Sequence, residues 1–205
     1  MNRTFRIHCS QIGKIMGTGK NGLPVTCQTF LKEWYANDRE QIHSKYIDKG
    51  NWVEADLIDF MAEQLGLGMA EKNEATLSDE FFVGTADVVT SNMVIDVKAP
   101  WNVKTLQDNV GGINTDYEWQ LRGYMRLWDK SESIVFYGLM DTPAEANYDR
   151  EVIYSDMPDN ERWIAYSVTR DHEVEQSIID RVVLCREWLN QYDQLIKAKM
   201  GRVNQ

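Results

Sequence analysis

The stretch Phe81–Trp101, FFVGTADVVTSNMVIDVKAPW, decides the architecture. Two β-rich runs, 81–90 and 93–98, flank Ser91-Asn92, a short polar pair suited to a tight reversal. With those two residues as the loop, Thr90 faces Met93, Val89 faces Val94, Val88 faces Ile95, and Asp87 falls opposite Asp96. Lys98, two residues past Asp96, projects from the same face of the sheet. Opposed side chains have Cβ atoms about 4.5–5.5 Å apart, a separation at which like charges repel. Two carboxylates held in this way need compensation. A divalent cation supplies it naturally, because hard cations such as Mg²⁺ take carboxylate oxygens. A solvated acidic pair on an open sheet face is the alternative. The apolar residues crowding both strands, the adjacent Lys98 and the exit at Ala99-Pro100-Trp101 weigh against it.

The 205 residues are 43% hydrophobic and 26% charged, a globular composition long enough for one domain with a sizeable core. No apolar run nears the roughly 20 residues of a membrane span. The opening MNRTFRIHCSQIGK lacks an apolar signal core, so no membrane partner and a cytoplasmic residence are expected. Cys9, Cys27 and Cys185 show no CxxC spacing and cannot fill a four-thiolate site. His8, His43 and His172 are dispersed, which argues against a histidine metal centre. A net charge of −10 opposes long-range attraction to nucleic acid, unless basic residues cluster locally or cations occupy the acidic site.

Residues 3–16 read as an extended lead-in followed by a helix, with Ser10 at the N-cap. Gly17-Thr18-Gly19-Lys20-Asn21-Gly22 spells GxGxxG, but no strand precedes it and Pro24 follows, so it reads as a loop. An amphipathic helix over 26–46 presents Phe30, Leu31, Trp34 and Tyr35. A second, over about 51–65, presents Trp52, Val53, Leu57, Phe60, Met61 and Leu65. Glu54 falls in its first turn, where a carboxylate complements the helix dipole. A short strand over 69–75 leads into the hairpin, and 102–114, with Gly111-Gly112, forms a connection. The third helix, 115–129, sets Gln120 and Tyr124, and likewise Arg122 and Arg126, at i,i+4. Residues 133–140 have the clearest pattern of a buried strand, with further strands near 150–155 and through 163–169. A long helix over about 172–200 repeats Val174, Ile178, Val182, Cys185, Leu189, Tyr192 and Ile196 as a core stripe, with a subunit contact as the second use. This order predicts an α/β (mixed α+β) fold, a central mixed sheet flanked by helices.

Gly50-Asn51-Trp52-Val53-Glu54, Gly84-Thr85-Ala86-Asp87 and Ile95-Asp96-Val97-Lys98 together resemble the PD-(D/E)xK nuclease superfamily. Gln120-Leu121-Arg122-Gly123-Tyr124 is similar to the QxxxY element of its exonuclease branch. The set looks most like the lambda-exonuclease-like (YqaJ) group of viral recombination nucleases, and the resemblance is strongest over 50–128. It implies one nuclease domain over 1–205 with a restriction-endonuclease-like core over about 50–155. It also implies a metal-dependent deoxyribonuclease using Mg²⁺, or Mn²⁺ in its place, and above all a 5′→3′ double-strand exonuclease. Under that resemblance Asp87 and Asp96 bind metal, while the Val97 carbonyl and Glu54 add ligands. Lys98 orients or deprotonates the attacking water. Gln120 and Tyr124 support the site or position substrate, although a polar helix face would also account for Tyr124.

Arg3 and Ser10 are similar to the segment that grips the 5′-terminal phosphate in this group; a disordered terminal arginine is the competing reading. Trp101 stacks on a base or packs in the core. Arg122, Arg126, Lys104 and Lys130 meet phosphates or solvent. The implied partners are double-stranded DNA ends, further copies of the chain in a ring-shaped homotrimer, and a single-strand annealing recombinase in the cytoplasm of a bacterial host. A structure-specific or restriction-type endonuclease, and a non-catalytic acidic DNA-binding or interaction module, are the other two readings.

Overall fold

The computed structural model describes residues 3–17, 22–37, 45–147 and 150–200. Its strands are β1 (Ile7–His8), β2 (Leu77–Ser78), β3 (Phe82–Gly84), β4 (Val88–Val89), β5 (Met93–Lys98), β6 (Glu132–Gly138) and β7 (Trp163–Thr169). Its helices are α1 (Gly13–Met16), α2 (Val25–Ala36), α3 (Lys45–Gln64), α4 (Val103–Gln107), α5 (Thr115–Trp128) and α6 (His172–Lys199). The expected mixed sheet is present, in the order β4-β5-β6-β7, with β5 parallel to β6 and the other pairs antiparallel. A smaller sheet, β1-β3-β2, stands beside it.

The Ser91-Asn92 reversal folds as read. Thr90 N–H donates to the Met93 carbonyl at 2.9 Å, Val89 pairs with Val94, and Val88 with Ile95. The 81–90 run, however, breaks at Thr85-Ala86-Asp87 into β3 and β4, which belong to different sheets. The β4–β5 ladder therefore stops one residue short of the expected Asp87–Asp96 pair. Asp87 instead turns its carboxylate to accept the Val97 N–H at 2.7 Å.

Alternation along β5 sorts its side chains between two cores. Ile95 and Val97 join Phe136 and the α3 residues Leu57, Ile58, Phe60 and Met61. Val94 joins Val135, Tyr137 and the α5 residues Leu121 and Met125. Asp96 and Lys98 share the face of Val94 and so meet α5. That helix is opened by Asn114, whose side chain accepts the Asp116 N–H, and it carries Asp116 and Glu118 in its first turn. Gly123 within it answers a close approach: a Cβ there would lie 2.7 Å from Ile12 Cδ1 and 2.8 Å from Cys9 Sγ. All three cysteines are buried and free. Ile178, Val182, Cys185 and Leu189 of the expected α6 stripe are fully buried.

Several expectations give way. Ser10 caps nothing; it lies within a 3-10 turn, Cys9–Gln11, ahead of α1. α2 closes at Asn37, whose φ of 57° ends the helix, and residues 38–44 of the expected span, like 18–21 of the glycine loop, lie outside the described residues. α3 begins at Lys45, about two and a half turns before Glu54, so the helix-dipole role for Glu54 fails. Trp52 is 62% exposed and does not belong to the apolar stripe.

No strand forms over 69–75. There the Asn73 amide donates to the Ala86 and Ala75 carbonyls, and the strand comes later, at Leu77–Ser78. The 102–114 connection holds α4, started by reciprocal hydrogen bonds between Asn102 and Thr105. Near 150–155 only a Thr142–Val152 bridge forms, because the Tyr154 and Ser155 N–H groups donate to the Asp141 carboxylate at 2.5 and 2.8 Å. No helix among the described residues is long and apolar enough to cross a membrane.

Candidate active site

A cleft of about 920 Å³ opens where the end of β5 meets α3 and α5, lined in part by Ser10, Glu54, Asp87, Val97, Lys98, Trp101, Tyr117 and Gln120. Asp96, only 1% exposed, lies beneath its floor. Asp96 Oδ1 accepts from Gln120 Nε2 at 2.8 Å, and the same amide nitrogen donates to the Tyr124 hydroxyl at 2.8 Å. Lys98 Nζ is 2.6 Å from Asp96 Oδ2, so the ammonium compensates the carboxylate oxygen that Gln120 does not reach. The Lys98 ammonium also sits 4.9 Å from the centre of the Tyr117 ring.

Charge is crowded here. Burial, then the charge of Asp96, pushes the Asp87 carboxyl up to about 7, although Lys98 and the Val97 N–H pull the other way. For Lys98, burial disfavours the ammonium, but Asp96 and Asp87 more than offset it and hold the group above the usual lysine range. Burial and Asp96 likewise keep Tyr124 a neutral phenol. The charge balance on Lys98, which the sequence leaves open, falls to the acids.

The buried Asp96 carboxylate, the half-buried Asp87 carboxylate and the neighbouring Val97 carbonyl form a hard-oxygen donor set whose chemistry suits a divalent cation. Among the described residues, no three His, Cys, Asp or Glu side chains are gathered closely enough to cage a metal ion. Glu54, which lines the cleft with Asp87 and Asp108, points its Oε2 at Lys72 Nζ, 2.7 Å away.

Sequence reasoning missed three residues. Tyr117 carries a usable signal, since it lies three residues before Gln120 and seven before Tyr124, on one helix face. Lys72, on the 66–76 connection, carries none. Lys49, 2% exposed on α3, donates to the Pro100 and Trp101 carbonyls, both at 2.9 Å, and pins the turn that follows Lys98. Burial lowers its pKa to about 8.

Neither a protein-family profile nor a curated protein matches the sequence. Solved structures do match. A phage-related exonuclease from Haemophilus somnus 129PT superposes with a TM-score of 0.80 at 25% identity, covering 95% of this chain and 97% of that one. An alkaline exonuclease from Laribacter hongkongensis, LHK-Exo, superposes at 0.72 and 14% identity, covering 95% and 92%, as does its complex with dAMP. The fold is that of the lambda-exonuclease-like nucleases.

Within this lambda-exonuclease-like fold the expected residues separate into two groups. Asp87, Asp96, Val97, Lys98, Gln120 and Tyr124 converge, and Ser10, Glu54 and Trp101 share the cleft. Arg3 does not join them. It stacks 4.0 Å over Trp34 and donates to Asn37 Oδ1 at 2.8 Å and to the Trp34 carbonyl, closing the end of α2. Arg122 pairs with Glu118 at 2.6 Å, Arg126 with Asp79 and Glu175, and Lys104 with Asp108, while Lys130 donates to the Ser91 carbonyl. None of these four basic residues lines the cleft.

Proposed function

We propose that this protein is a divalent-cation-dependent DNA exonuclease working 5′→3′ on double-stranded ends. The observation that carries the reading is the convergence of buried Asp96 and half-buried Asp87 with Lys98 beside them at the end of β5. The fold it has in common with two exonucleases supports the same activity. Asp87, Asp96 and the Val97 carbonyl would hold Mg²⁺, or Mn²⁺ in its place, with Glu54 as a further ligand. Such a cation supplies Lewis acidity toward the phosphate and the attacking water.

The chain's own groups orient the reaction. Gln120 clamps Asp96 Oδ1 and, through Tyr124, is itself held. Lys98 donates a hydrogen bond to the water and adds positive charge against the phosphate. It can take up a proton only after the charges of Asp87 and Asp96 are neutralised, because those charges keep it an ammonium. The Ser10 hydroxyl is available to a 5′-phosphate oxygen, and Trp101 offers a ring face to a terminal base. A ring-shaped homotrimer, an annealing recombinase as partner and a bacterial cytoplasm complete the reading.

Asp96→Asn and Lys98→Ala test it. Each is expected to lower cleavage by at least about 100-fold while the chain still melts cooperatively. Loss of fold and activity together would return these residues to a structural role.

A further inference from the structure

Lys72 lies on the 66–76 connection, which is tied to the Thr85-Ala86-Asp87 break between β3 and β4. Asn73 N–H donates to the Asp87 carbonyl at 2.7 Å, Asn73 Nδ2 donates to the Ala86 carbonyl at 2.8 Å, and the Thr76 and Thr85 hydroxyls meet at 2.7 Å. This anchoring delivers the Lys72 ammonium to within 2.7 Å of Glu54 Oε2. Glu54, an acid of the cleft, is thus engaged by Lys72, and among the described residues the acids are not gathered into a cage.

We infer that Lys72 is a stand-in cation: it holds Glu54 until a divalent metal takes that carboxylate, and the released ammonium then contacts the DNA backbone at the cleft. This rests on the reading of Glu54 as a metal ligand. An ammonium and a divalent ion cannot share one carboxylate at contact distance without strong mutual repulsion. Exchange is easy because the pair is weakly held: the Lys72 side chain is 49% exposed and that of Glu54 20%. The released ammonium has work to do. Among the described residues lining the cleft, Lys98 is the only cation, and Arg122, Arg126, Lys104 and Lys130 are engaged elsewhere.

The test is Mn²⁺ titration of the full chain, read as free Mn²⁺ by paramagnetic resonance, for the wild type, Lys72→Met, Glu54→Gln and the double variant. Lys72→Met is expected to bind Mn²⁺ about two- to fivefold tighter, the range a partly exposed ion pair allows, and this gain should vanish in the Glu54→Gln background. Unchanged or weaker Mn²⁺ binding by Lys72→Met, or a gain that survives Glu54→Gln, overturns the competition. On linear duplex, Lys72→Met is expected to raise KM several-fold with kcat nearly unchanged, and Lys72→Arg to restore KM. An unchanged KM overturns the backbone contact. If the wild type takes up no Mn²⁺, it is the metal reading of the whole site that fails, a result distinct from either of these.

Discussion

Asp87 carries a pH dependence that follows from its surroundings. In the folded chain it keeps its proton to about pH 7, chiefly because burial and then Asp96 disfavour its charge. In the unfolded chain it loses that proton near pH 4. Between those values the folded state binds more protons, so stability falls as pH rises. The carboxyls held low, Asp79, Asp141 and Asp193, act on the acid side of this window, where their stabilisation is lost as pH falls. Lys49, brought down to about 8 by burial, acts on the alkaline side. The protein in EDTA is therefore expected to melt at a higher temperature near about pH 5.5 than near about pH 7.5, and Asp87→Asn to flatten the difference. Scanning calorimetry reads this directly, and equal melting of the wild type at both values would contradict it. At the same scale, the sequence exposed Asp87, Asp96 and Lys98 because they lie on or beside one short hairpin, whereas Arg3 lies apart from them in the fold. Its motif spacing is local, but its partners Trp34 and Asn37 lie across the fold on α2.

The elements that were legible are those whose pattern is self-contained. The Ser91-Asn92 reversal needs only its neighbours, and α5 and α6 declare themselves by caps and spacing. The failures have a common cause, side chains that satisfy backbone groups the reader assigns to a ladder. Asn73 does this over 69–75, and Asp141 does it over 150–155. Glu54 was misplaced within its helix because α3 starts upstream of the expected boundary. Gly123 supplies the test at this scale. Alanine there gains about 1 kcal/mol of helix propensity but drives a methyl into Cys9 and Ile12, and overpacking of that kind costs about 1–3 kcal/mol. Gly123→Ala is thus expected to destabilise the chain, by up to about 2 kcal/mol, in urea unfolding. A stabilised variant would show that the 3-10 turn at Cys9 yields without cost.

For the molecule as a whole, the net charge of −10 is the compositional fact hardest to reconcile with a polyanionic substrate. Among the described residues, no arginine lines the cleft to soften it. Arg126 bridges Asp79 and Glu175, Arg170 bridges Asp129 and Glu175, and Arg186 reaches Glu80, so these guanidiniums tie α5 and α6 to the small sheet and its loops. Under the proposed function, substrate binding then depends on cations gathered at Asp87 and Asp96. The most direct measurement is digestion of 5′-phosphorylated linear duplex beside covalently closed circular duplex, each with Mg²⁺ and with EDTA. The expected result is Mg²⁺-dependent loss of the linear DNA alone, abolished in Asp96→Asn. Nicking of the circle would contradict end-dependence and favour an endonuclease, and no cleavage of either DNA, even with Mn²⁺, would contradict catalysis itself.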